Sequence, residues 1–71
     1  MATITIYWTA YVQGGGKAFI ADGSATIEYN SQKELNQNIC EYVKSQVGTS
    51  CIVKYQVPDV SPGIEHEVTC M

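Results

Sequence analysis

The sequence predicts an α+β fold of two layers, with elements in the order ββαββ and one helix packed on a four-stranded sheet. Three observations lead there. Ala2 to Gln13 alternates strictly, with Ile4, Ile6, Trp8, Ala10 and Val12 on one parity and Thr3, Thr5, Tyr7, Thr9 and Tyr11 on the other. Leu35, Ile39, Tyr42, Val43 and Val47 recur at helical spacing. Two more alternating stretches, Cys51 to Val57 and Ile64 to Cys70, flank a proline-containing loop. A period of two marks a strand with one buried face, and a period near 3.6 marks an amphipathic helix.

In the first hairpin, Gly14, Gly15 and Gly16 supply the positive φ angles of a tight reversal. Pairing Gln13 with Lys17 then sets Val12 opposite Ala18 and Ala10 opposite Ile20. Beyond Asp22 and Gly23 the apolar positions switch from even to odd, through Ala25, Ile27 and Tyr29. A one-residue bulge at Asp22-Gly23 accounts for the switch and sets Ile6 opposite Ala25, Ile4 opposite Ile27 and Ala2 opposite Tyr29. The competing arrangement makes Asp22-Gly23 a type I′ turn and gives a third short strand. The bulge is preferred because it leaves no overhang on the first strand.

Ser31, with Glu34 three residues on, forms an S-x-x-E capping box that opens a helix over about Gln32 to Val47, and Gly48 closes it. Lys33, Glu34, Gln37, Glu41 and Lys44 face mostly to water. In the second hairpin, Pro58 to Gly63 is the turn segment. Setting Val57 opposite Ile64 places Tyr55 by His66, Val53 by Val68 and Cys51 by Cys70. On the other face the same register brings Lys54 to Glu67, a favourable cross-strand pair.

A right-handed connection through the helix allows the first and last strands to lie parallel in the centre, giving the sheet order 2-1-4-3. This arrangement resembles a β-grasp of the immunoglobulin-binding protein G type in element order alone, so no function carries over from it. Hairpins set side by side in a different four-strand order are the alternative.

The chain has 71 residues, enough for one domain spanning residues 1–71, of a size where a single core is barely sufficient. A net charge of −3, with four lysines and no arginine, lacks the basic footprint a duplex requires, so nucleic acid is not an expected partner. No apolar run is long enough to span a membrane, and the strict alternation at the start is unlike a signal-peptide core. The expectation is a cytoplasmic protein with reduced thiols, which the odd count of three cysteines suits.

Residues with chemical potential are few. Gly14-Gly15-Gly16-Lys17 is followed by a strand, whereas a phosphate loop needs a following helix whose amides cradle the anion. Cys40, Cys51, Cys70 and His66 offer three thiolates and one imidazole, but their spacing lacks the close C-x2-4-C pairs of structural zinc sites. Small buried cysteines also serve as ordinary apolar side chains, so no metal or other cofactor is expected. A Cys51–Cys70 disulfide is open to the register without being expected in a reducing cytosol. With one histidine and no third group to orient it, no catalytic residue is assigned and the chain is not expected to be an enzyme. Glu65 and Glu67 belong to a solvated strand face.

The polar parity of the first strand is the main functional clue. Threonines populate solvated strands without further cause. Tyr7, Tyr11 and Phe19 grouped near the glycine turn are less ordinary, since exposed aromatics anchor recognition surfaces. The candidate binding residues are Tyr7, Thr9, Tyr11, Phe19, Lys54, Glu65 and Glu67. They describe a small non-enzymatic protein-binding module, an inhibitor or adaptor of a size suited to a phage or mobile element, whose protein partner is not identified by the sequence. The alternatives are an assembly protein that forms homodimers through the same face or its edge strands, and a small metal- or ligand-binding domain around Cys40, Cys51, His66 and Cys70.

Overall fold

The computed structural model describes residues 2–14, 16 and 18–71. The chain folds as β1 (Ala2–Val12), β2 (Phe19–Tyr29), α1 (Gln32–Val47), β3 (Cys51–Val57) and β4 (Ser61–Cys70). One antiparallel sheet has the order β2-β1-β3-β4, with the helix on one side of it. The ββαββ order and the two-layer α+β class are as the sequence predicts; the 2-1-4-3 order is not.

The difference in order has a physical cause. A helix of 16 residues spans about 24 Å, which returns the chain from the end of β2 to the level of the first turn in either order; here β3 begins beside Val12. β3 then pairs antiparallel with β1 from Tyr7↔Gln56 to Val12↔Cys51. The choice also sorts the strands by content. β3 buries Cys51, Val53, Tyr55 and Val57 and takes a central place. β4 carries Pro62, Gly63, Glu65 and Glu67, residues that suit an edge, where a missing donor and a charge are tolerated.

The first hairpin is continuous, and β2 follows β1 to its end through Ile6↔Ala25, Ile4↔Ile27 and Ala2↔Tyr29, as expected. Gly14 and Gly16 take φ values of +121° and +96°, the region where glycine is needed. The Gln13–Lys17 pairing and Gly15 of the turn lie outside the described residues. Val12 receives Ala18 as expected, its amide donating to the Ala18 carbonyl at 2.7 Å, although Val12 is itself exposed rather than part of the core. The bulge lies upstream of Asp22-Gly23. Ala10 pairs with Ala21 and Tyr11 with Phe19, which leaves Ile20 as the extra residue. Ile20 and Ala21 are thereby both turned against the core, and Ala21 leaves the open face where the expected register had put it.

Gly23 has a different role from a bulge glycine. It pairs with Trp8, and a Cβ there would meet the indole Cζ2 at 3.2 Å, so the missing side chain is the space the indole uses. Trp8 also meets Tyr42 of α1 edge to face, with ring centroids 6.2 Å apart. Its Nε1–H is buried with no hydrogen-bond partner among the described residues.

Ser31 caps α1, its Oγ accepting from the Glu34 amide at 3.2 Å. Only this half of the capping box forms, because the Glu34 carboxylate accepts from Asn30 Nδ2 instead. Gly48 ends the helix at φ +77°, donating to the Lys44 carbonyl. Leu35, Ile39 and Val43 are buried against Ile6, Trp8, Ala10, Ile27 and the apolar face of β3, while Tyr42 and Val47 border the same core.

In the second hairpin the expected register holds from Cys51↔Cys70 to Gln56↔Glu65 and then shifts. Val57 pairs with Ser61, not Ile64, because the turn closes early: the Val60 amide donates to the Val57 carbonyl at 3.1 Å. Gly63 at φ +81° helps absorb the extra residues, and Ile64 is left exposed.

The thiols depart furthest from expectation. Cys40 of α1 and Cys70 of β4 form a disulfide, with Cα atoms 5.3 Å apart, and Cys51 is the free, fully buried thiol. Cys51 and Cys70 are register partners, as predicted, yet the bond goes to the helix. The geometry is simple: both core-facing strand residues look toward α1, and Cys40 on its flank reaches the edge strand.

Candidate functional site

The helix covers one sheet face; no described element covers the other. On that open face, strand pairing aligns side chains into rows that cross all four strands. One row reads Phe19, Tyr11, Ile52, Thr69; the next reads Asp22, Thr9, Lys54, Glu67; a third reads Ser24, Tyr7, Gln56, Glu65. Each row alternates with a row of core residues, so these neighbours follow from period two and register together.

The structure places all seven candidate residues on these three rows, and contacts or a shared depression join Tyr7, Thr9, Tyr11, Phe19, Lys54 and Glu65. Tyr11 and Phe19 meet edge to face at a centroid separation of 6.4 Å. Lys54 Nζ lies 5.6 Å from the Tyr11 ring centroid and 3.8 Å from Glu65 Oε1. Tyr7, Thr9, Lys54 and Glu65 also line a depression of about 340 Å³, together with Asp22 and Gln56. Glu67 is aligned with Lys54, as expected from the cross-strand pairing, and Lys54 also reaches Glu65 diagonally on the neighbouring row. Tyr7 is 55% exposed and Phe19 61%, large values for aromatic side chains on a sheet.

Asp22 and Gln56 belong to the depression but not to the residues singled out from sequence. The sequence pattern places Asp22 in a bulge. With the bulge at Ile20, register alone puts Asp22 opposite Thr9, so the signal was present in the two adjacent apolar residues Ile20 and Ala21.

The covered side of the second hairpin offers little chemistry. His66 stacks on Tyr55 at 5.1 Å and 22°, and the Tyr55 hydroxyl donates to Asn36 Oδ1 at 3.0 Å. Burial pushes the Tyr55 hydroxyl above its ordinary pKa, and the nearby Gln32 side chain acts the other way. Burial likewise raises the Cys51 thiol, with Lys44 acting the other way. A protonated, enclosed thiol is a poor nucleophile. The Cys40–Cys70 bond also withdraws two of the four side chains considered as zinc ligands, and no other group of three or more His, Cys, Asp or Glu residues among the described residues is arranged to hold a metal ion. No described helix is long and apolar enough to cross a membrane.

Fold and site together define a helix-backed antiparallel sheet with one open, aromatic and acidic face. No family model, curated protein or solved structure matches this chain.

Proposed function

We propose that the chain is a non-enzymatic protein-binding module, an inhibitor or adaptor that engages its partner through the open sheet face. The observation that carries this reading is the exposure of Tyr7 and of Phe19, the latter packed on Tyr11, on a face that no described element covers. Burial of such rings, each offering a large rigid surface, is a common source of binding free energy. The threonines around them supply small polar contacts at little entropic cost.

The test replaces Tyr7, Tyr11 and Phe19 together by alanine and compares affinity capture from a source lysate with that of the parent chain. Capture of a defined protein is expected to disappear while the thermal melt is retained; undiminished capture by the triple variant refutes the reading. An inhibitor of the phage or mobile-element type remains the biological setting that the small size suits.

A second reading, homodimer formation, has its own support. β2 is an end strand of 11 residues whose outer edge has no neighbouring strand, and such an edge can pair with a second copy. Sedimentation at micromolar concentration separates the two readings, because a monomer excludes the second. The compartment depends on the thiols. A cytoplasmic site suits the odd cysteine count, whereas the Cys40–Cys70 bond weighs towards an oxidising one.

A further inference from the structure

The charges of this chain are unevenly placed. Among the described residues, the open face carries Asp22, Glu28, Glu65 and Glu67 against the single ammonium of Lys54. The helix and the turns carry Glu34, Glu41 and Asp59 against Lys33 and Lys44, close to balance. The acidic excess therefore coincides with the exposed aromatic rings.

Lys54 illustrates what this combination accommodates. Its ammonium sits within reach of both the Tyr11 ring and the Glu65 carboxylate. An aromatic ring and a carboxylate that share one cation are the groups a flat cation also uses, and Tyr7 and Glu65 line the same depression, in one row with Gln56 between them.

We infer that the partner of the open face is a protein surface presenting arginine side chains. The inference rests on the protein-binding reading above and names its chemistry. Guanidinium is preferred to ammonium because it is planar, weakly hydrated, stacks on aromatic rings and pairs with a carboxylate through two parallel hydrogen bonds. A second copy of this chain is disfavoured on the same face, since two such faces would oppose acid to acid. Nucleic acid and anionic lipid headgroups are disfavoured by the same sign of charge.

The test titrates the full chain with nona-arginine and, separately, nona-lysine, following backbone amide signals by NMR at low ionic strength. Shifts are expected to centre on Tyr7, Thr9, Asp22, Lys54 and Glu65, with nona-arginine binding at least about threefold tighter than nona-lysine at equal charge. The Asp22→Asn, Glu65→Gln double variant is expected to weaken nona-arginine binding about tenfold with an unchanged melt. Shifts centred on Glu34 and Glu41, equal binding of the two peptides, or unaltered affinity in the double variant would each overturn the inference. If the triple alanine variant loses its captured partner while nona-arginine leaves the face unmoved, the binding face stands and the arginine chemistry falls. If capture and peptide shifts both ignore the face, both readings fall.

Discussion

The two faces of β1 differ in what constrains them. Facing the helix, Ile6 and Ala10 are fully enclosed and Trp8 is 5% exposed, so each is fitted to neighbours from β2, α1 and β3. One residue away on the same strand, Tyr7 is 55% exposed, and nothing in the described chain dictates its shape. Close packing makes the first set costly to change, because lost contacts and cavities both count against the folded state. The second set is held by strand geometry and a few exposed contacts, such as those of Tyr11 with Phe19 and Lys54. Stability and recognition are thus written on alternate residues and can be altered separately, which gives the comparison its experimental use.

The largest test concerns the weakest part of the covered face. α1 packs against strands of both hairpins, and β4, the far edge strand, is also joined to it covalently by Cys40–Cys70. With a sequence separation of 30, the bond is expected to stabilise the fold by about 3–4 kcal/mol through restriction of the unfolded chain. Cys40→Ser combined with Cys70→Ser should lower the stability by that amount in urea unfolding. A loss below about 1 kcal/mol would mean that packing alone holds the edge strand. In the parent chain the same bond leaves one titratable thiol after denaturation, that of Cys51, against three after reduction.

A smaller effect is expected at Gly23, where the covered face is tightest. Alanine would bring a Cβ to 3.2 Å from the Trp8 indole, and the ring is fixed on its other side by Tyr42. The indole must shift, so Gly23→Ala should destabilise by about 1–3 kcal/mol. Trp8 fluorescence is a convenient readout. An unchanged spectrum and melting temperature would show that the indole has more room than the structure gives it.

Much of this architecture was legible because two periodicities carry most of it. The helix boundaries, its cap residue and the register of both hairpins near the helix follow from alternation, S-x-x-E and Gly48. Sheet order was less accessible, because β1 can pair equally well in pattern terms with β3 or β4. The deciding features were the content of β3 and the edge character of Pro62-Gly63, Glu65 and Glu67. The bulge was misplaced because Asp22-Gly23 is a conventional turn signal, whereas the structure uses Gly23 to admit an indole and turns Ile20 and Ala21 inward together. The Cys40–Cys70 bond joins a helix flank to an edge strand, a proximity that no local pattern encodes. For the open face, the seven candidate residues share three adjacent rows; Asp22 is obscured by its reading as a bulge residue.

The smallest stability effect should be found on the open face, and it decides whether the two faces are truly separable. Tyr7→Ala and Phe19→Ala remove rings that are more than half exposed, and neither ring belongs to the buried cluster. Phe19 contributes an edge-to-face contact with Tyr11, worth on the order of 0.5–1 kcal/mol at most in so exposed a setting. Tyr7 pairs across the sheet with Ser24 and Gln56, small or flexible neighbours that gain little from its ring. Each variant should therefore stay within about 0.5–1 kcal/mol of the parent in urea unfolding. A loss of 2 kcal/mol or more, on the scale of about 1.5–3 kcal/mol for a buried side chain, would mean that these rings are covered in solution. The covering surface would then be a second copy of the chain, and the effect should deepen with protein concentration, as expected for folding linked to association.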